Sequence, residues 1–587
     1  MRRTFTMALA TAMTLFTSMT MAAQRISADG ATQTFGVWSE QYLEEAYAFS
    51  PTWATSLGLH EYDSQLEDYS AAGVQKQVTW LRGWLTKFDQ IPADGLDRDV
   101  AADREILRNS IRSQLLSLET IRMWEKNPDN YSSGITNSVF VVMSRDYAPV
   151  NTRLRAVVER EKLMPQVFAD ARKNLKNPPK VYTEVALEQI DGLVSFFEND
   201  VPLAFKDATD AAAKAEFAKS NAAVIEALKS YGTWMKTDLL PRSNGDFRFG
   251  MDTYRRKLSY DEMVETPLDK LLAVDTADMR KNQAEFARIA KELDPKKTPQ
   301  EVLADLATIH PAPDHLLDAF RESFDSLTAF IKSHHIVTLP SDVRPKLEET
   351  PPFMRATTQA SMDSPGPFET HSRTAFFNVT LPEKSWTPER VAEHMAAFNV
   401  GTIVSTSVHE AYPGHFVQFL WQPEFPSKIR KVLMAYSNVE GWAHYTEQMM
   451  LDEGYGQPGF GAKDERESKL IRLGQLQDAL LRNARFIVGI RMHTEAMTME
   501  QAEDFFVKEG YQSRSIAVME TKRGTSDATY LYYTLGKLMI LKLREDMKAK
   551  QGAKFSLEQF HNDLMRQGFA PIKVIRKAML HDDSPVL

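Results

Sequence analysis

Apolar residues recur at three- and four-residue spacing through most of this chain, the mark of helices that bury one face. The pattern predicts helices over residues 34–48, 74–88 and 100–123, with the Pro- and Asn-containing stretch 127–133 as a break. It resumes over 152–175, 183–198, 204–240 (one helix or two) and 259–293, with Pro178-Pro179, Pro241 and Gly245 at the joints. Thr298-Pro299-Gln300-Glu301 reads as a helix start, with Thr298 as cap, Pro299 in the first turn and Glu301 three residues on. A further amphipathic helix follows at 313–331.

The texture then changes. Residues 336–339, 353–360 and 374–380 are short, rich in β-branched and aromatic side chains and bounded by Pro, Gly and Ser, which predicts a small sheet. Thr387-Pro388-Glu389 opens another helix, and helical patterns cover 399–420, 431–451 and 465–494. The Gly-rich loop 454–461 lacks the Lys and the preceding strand of a phosphate loop. This organisation is read as one mostly helical body over 24–587. Its helical part spans about 30–335, and the sheet and later helices fill 336–587. No repeat or low-complexity linker divides it.

Composition narrows the partners and the address. The 587 residues are 43% hydrophobic, ample for a large core, and 25% charged with signs mixed throughout. A net charge of −9 with no basic stripe argues against nucleic acid. Arg2 and Arg3, the apolar run 7–19 and Ala22-Ala23 read as a signal peptide over 1–23, so the expected address is periplasmic or secreted. Sec and twin-arginine export both stay open. No other run reaches the ~20 apolar residues that span a bilayer, so no transmembrane segment is expected in the mature protein. With no Cys, there are no disulfides, no lipid-modified cysteine and no thiolate ligands, so a metal must use His and carboxylate.

Such a set is present in Val408-His409-Glu410-Ala411-Tyr412-Pro413-Gly414-His415-Phe416. A His-Glu pair with a second His nearby offers a zinc ion two imidazoles and a carboxylate base. The second His comes six residues after the first. At 100° per residue that turns it about 120° away on a straight helix. Pro413 and Gly414 are the residues able to distort the backbone and bring both to one ion. Twenty-five residues beyond His415 lies Glu440, with His444 and Glu447 on the same helix face. Glu440 is the expected third ligand and Glu447 the group that orients an imidazole from behind. His444 is the reserve ligand should His415 point away. One Zn2+ per chain is the expected cofactor.

The pair of motifs His-Glu-Ala-Tyr-Pro-Gly-His and Glu-Gly-Trp-Ala-x-Tyr-x-Glu resembles the bacterial family catalogued as domain of unknown function 885. The likeness extends to 51–63, 127–131 and 239–242. That family is grouped with gluzincin-type zinc metallopeptidases. The resemblance therefore implies a mainly α, zincin-like body of the angiotensin-converting-enzyme and thimet-oligopeptidase type, with a central cleft and a small β-sheet. It also implies peptidase chemistry, with substrates poorly defined. In this class an edge strand beside the zinc pairs with the substrate backbone. Phe376, Phe377 and Asn378 of the 376–379 stretch are the candidates for that role, a hairpin with no ligand being the alternative.

Peptide hydrolysis creates an oxyanion that needs a donor. Tyr530 and Tyr533 lie one turn apart on a later helix, and the resemblance favours Tyr533, three residues before Gly536. His493 is a second donor candidate and His561 a third. Arg482 or Arg485 suits a substrate carboxylate, with Arg485 carried forward as the substrate-binding residue. The resulting expectation is zinc on His409, His415 and Glu440, Glu410 as general base and a peptide substrate. Ser405, Thr406 and Ser407 lack a nucleophile elbow, which disfavours a serine hydrolase. Two other readings remain: a metal-dependent hydrolase of another amide or ester, and a non-catalytic helical scaffold that holds peptides. Cleavage preference and oligomeric state are not written in the sequence.

Overall fold

The structure, a computed structural model, describes residues 28–587 apart from 94, 352–354, 356–357 and 385. The segment 1–23 expected as a signal peptide lies outside the described residues, as do residues 353, 354, 356 and 357 of the strand expected at 353–360.

Helices build the body, and most start where local chemistry says they should. Thr298 and Glu301 form a reciprocal capping box at the start of Pro299–Leu306. Thr387 caps Pro388–Ala396, and Asp464 caps the 30-residue helix Glu465–Thr494. In the N-terminal half, the helix pattern departs from expectation at two places. The stretch 127–133 is not a long break, because Asp129–Met143 is a helix whose Ile135, Val139 and Val142 are buried. The stretch 259–293 is two helices, Met251–Glu262 and Leu268–Leu293, separated at left-handed Met263 and at Pro267.

The residues from Tyr131 to Leu239 pack around their own apolar core, with Val139, Phe168, Val224 and Leu228 at its centre. The first helix, Ala28–Phe49, instead shares a core with the sheet and the later helices, joining Tyr42 and Leu107 to Phe377, Val408 and Trp442. Among the described residues no helix is long and apolar enough to cross a membrane.

The sheet comprises β1 (Lys346–Glu349), β2 (Ala360–Asp363) and β3 (Phe376–Val379). Its order is β1-β3-β2, with β1 parallel and β2 antiparallel to β3. The stretch 336–339 is not a strand: Ile336 and Val337 are buried, and the Ile336 carbonyl accepts from His561. The β-poor sequence Lys-Leu-Glu-Glu supplies β1 instead. The strand ends are clamped from the N-terminal helices. Arg145 bonds both Asp363 and the Thr374 carbonyl, while His60 reaches Glu369 at 2.8 Å and Phe368 N–H donates to the Leu57 carbonyl.

Two helix crossings position the chemistry. Helix Val400–Glu410 meets Glu465–Thr494 where Gly401 faces Gly474, so closely that a Cβ on either would collide with the other's backbone. Helix Tyr436–Asp452 meets Tyr532–Gln551 in the same way at Gly441 and Gly536. The second crossing sets Tyr533 beside Glu440.

Candidate metal centre

Helix Val400–Glu410 begins with the Asn399 side chain accepting from Gly401 and Thr402 N–H, and it ends at Glu410. The chain is therefore not one distorted helix over 399–420 but two helices with a break between them. A cis Tyr412-Pro413 bond lies in the break. Gly414 N–H then turns back onto the Val408 carbonyl at 2.9 Å, and His415–Leu420 starts a new helix. Gly414 has to be glycine, because any Cβ there would overlap the His409 carbonyl. Trp442, fully buried, holds the Pro413 carbonyl through its indole N–H at 2.9 Å. The break turns His415 back, and the two imidazole rings meet edge to face with centroids 4.8 Å apart.

Glu440 completes the group. Its Oε2 lies 3.4 Å from Nε2 of His409 and 3.4 Å from Nε2 of His415. One donor atom from each of the three residues falls within 4.8 Å of the others. Ligands about 2.0–2.1 Å from a tetrahedral ion stand roughly 3.3–3.4 Å apart, so the spacing suits one small cation. Glu440 Oε2 is enclosed and has no hydrogen-bond partner. A buried carboxylate oxygen that accepts no hydrogen bond is costly, and a cation between it and the imidazoles would relieve that cost.

Behind His409, Glu447 is fully buried and accepts from three sides. It bonds His409 Nδ1 at 2.7 Å, His444 Nδ1 at 3.2 Å and Arg482 Nη2 at 3.0 Å. Burial opposes its charge, but Arg482, His444 and the His409 bond outweigh that and hold the carboxyl far below the usual range. Burial likewise pushes His444 down to about 3. His444 is thus a neutral neighbour behind the ligands, and the reserve-ligand role is not needed. Replacing Glu447 with Gln should weaken zinc binding by about 10–100-fold while keeping the fold, as read by competition with a chromogenic chelator.

Glu410 faces a cleft of about 810 Å³ that His409, Arg482 and Tyr533 also line. Its Oε2 accepts from the Met362 N–H of β2 at 3.1 Å. The Tyr533 ring lies 6.4 Å from that of His409 and nearly parallel to it. Its hydroxyl accepts from Arg523 at 3.3 Å, which leaves its own proton to be donated. Burial, with Glu440 nearby, pushes this phenol up, so it stays protonated against the pull of Arg523 and Arg485.

Other expected site residues lie elsewhere. Phe376, Phe377 and Asn378 belong to the central strand, whose two edges are already paired, so β3 cannot accept a further strand. Phe377 sits in the core and Phe376 lies under Arg145. The free edge beside Glu410 is that of β2. Arg485 borders the cleft, but its Nε and Nη2 grip Glu520 at 2.7 Å each, so its fork is spent. His493 donates to the Gly524 carbonyl and accepts from Phe249 N–H among aromatic rings, with burial lowering it to about 4. It is a structural histidine. His561 is similarly tied between Ile336 and Tyr445. Sequence reasoning missed β2 and Arg523, and it chose Arg485 over Arg482. Only the fold shows which guanidinium meets Glu447.

The class defined so far is a mainly helical protein with a His-His-Glu cluster that reaches a cleft through His409, beside a small mixed sheet. The chain belongs to the family described as "Bacterial protein of unknown function (DUF885)", whose profile matches residues 51–579. Its fold is shared by a solved "putative lipoprotein of unknown function from Shewanella oneidensis" at 27% identity and TM-score 0.77. That match covers 93% of this chain and 99% of the other. A "putative lipoprotein from Colwellia psychrerythraea" matches at 18% identity and TM-score 0.78 over 94% of this chain and 99% of the other, a likeness of fold alone. No curated protein matches the chain.

Proposed function

We propose that this protein is an exported zinc-dependent peptidase of the gluzincin type, with Glu410 as general base. The observation that carries the reading is one enclosed carboxylate oxygen, Glu440 Oε2, 3.4 Å from two imidazole nitrogens, beside a cleft that His409 and Glu410 line. A zinc ion held by His409, His415 and Glu440 would supply an acidified water and polarise a carbonyl. Glu410 takes the proton of the attacking water and returns it to the leaving amine. Tyr533, held by Arg523, donates to the oxyanion. Glu447 fixes the His409 tautomer so that Nε2 faces the ligand set.

A peptide is favoured over another amide or ester by β2. Thr380 N–H bonds the Gln359 carbonyl, and Ala360 and Met362 stand opposite Val379 and Phe377. Alternation along an antiparallel ladder then turns the N–H and C=O of Ala360 and Met362 to the outer edge. That edge leads along the cleft from Glu410, and an extended peptide can add to it as a strand. The apolar leader in residues 1–23 and the description of the two structural relatives as lipoproteins support export.

The test is incubation of zinc-loaded protein with a pool of end-blocked peptides, read by mass spectrometry. Cleavage should stop on chelation, return with zinc and be absent in His409→Ala. Cleavage indifferent to chelation, or none by the zinc-loaded protein, would overturn the reading.

A further inference from the structure

The cleft does not end at the metal helices. Thr358, Gln359, Ala397, Ile516 and Met519 line both the cleft and a second chamber of about 600 Å³. Its far wall carries Ala304 and Ala307 at the end of one helix and Trp386 opposite. Met519 is 46% exposed there, a large apolar side chain with a face to solvent.

The polar side chains of this chamber are largely occupied. Glu393 accepts from Ser515 at 2.7 Å, His394 bonds the Thr380 carbonyl at 2.8 Å, and the Arg390 guanidinium lies 4.1 Å from the Trp386 ring centre. The Gln512 side chain donates to the Gly510 carbonyl at 2.6 Å. Gln477 Oε1 is buried there without a partner, and the rest of what the walls offer a ligand is mostly apolar area.

β2 connects the two spaces. The chain leads from Met362, bonded to Glu410, back through Ala360 to Gln359 and Thr358 at the mouth of the chamber. Four residues of strand span about 13 Å, so a peptide paired along this edge reaches the chamber three or four residues from the bond at Glu410. We infer that the chamber is a side-chain subsite of the peptide substrate, holding an apolar residue three or four positions from the scissile bond. The inference rests on the peptide reading of the cleft and makes the substrate an extended peptide rather than a dipeptide.

Binding by the Glu410→Gln protein tests this without relying on turnover. The probes are end-blocked, fluorescein-labelled decapeptides of alanine and serine, with a single leucine moved along the chain, followed by anisotropy with zinc present. One leucine position should bind about tenfold tighter than the unsubstituted peptide, the gain expected from burying one apolar side chain. Adding Met519→Asp, or separately Ala304→Trp from the opposite wall, should cut that gain below about twofold. Both positions are exposed, and two walls guard against one substitution disturbing the fold. No gain at any position, or a gain that survives in both variants, would overturn the subsite. If the preference holds and the wild-type protein cuts none of these peptides, the peptidase reading fails while the subsite stands.

Discussion

Glu410→Gln should leave zinc content and thermal stability at wild-type levels and lower peptide hydrolysis by about 10²–10⁴-fold, the contribution of a positioned general base. The amide keeps the size of the side chain, and its carbonyl can still accept from the Met362 N–H. Glu410 is not one of the three residues proposed to hold the metal, so the metal content should not change. What is lost is the ability to take a proton. The measurement is kcat/KM on a cleaved peptide alongside zinc content for both proteins. Activity within a few-fold of wild type would remove Glu410 from the mechanism.

Gly414→Ala should have an effect nearly as large through geometry. The added Cβ would overlap the His409 carbonyl, with the Val408 carbonyl also in the way, so the chain must shift between the two histidines. Forced backbone shifts in packed sites cost about 1–3 kcal/mol, and here they also move His415 away from Glu440. Zinc affinity should fall by about 100-fold or more, with a lower melting temperature in the metal-free protein. Gly83→Ala is the control: it lies within helix Ala71–Asp89 with nothing within 4 Å of the new Cβ, and should be neutral or slightly stabilising. Equal zinc binding by Gly414→Ala and the control would show that the break does not set the ligand geometry.

What the sequence disclosed, and what it hid, divides by range. Local chemistry was readable: the Thr298–Glu301 capping box forms, and the helix expected at 465–494 is found there. That His409, His415 and Glu440 would meet, with Glu447 behind His409, was also readable, because each lies on a helix whose face is set by nearby residues. The strand roles were not. Phe376 to Val379 looks like an edge beside the site, yet its partners Lys346–Glu349 and Ala360–Asp363 are set by distant packing, and they make it central. The same limit applies to Arg482 and Arg485, three residues apart on one helix, where Glu447 and Glu520 decide the roles. Pro413-Gly414 announced a distortion, but whether it bends one helix or separates two depends on contacts such as Trp442 with the Pro413 carbonyl. At 127–133 turn-forming residues masked a helix start, because burial of Ile135 and Val139 overrides local preference.

The central claim is that His409, His415 and Glu440 hold one metal ion, and its most direct test is elemental analysis of the purified protein. Wild type, His415→Ala and Glu440→Ala would be dialysed against dilute zinc and then against metal-free buffer. The account predicts about one zinc per chain in the wild type and less than about a tenth of that in either variant, with all three folded by circular dichroism. No bound metal in the wild type after zinc is supplied, or full zinc retained in both variants, would contradict it.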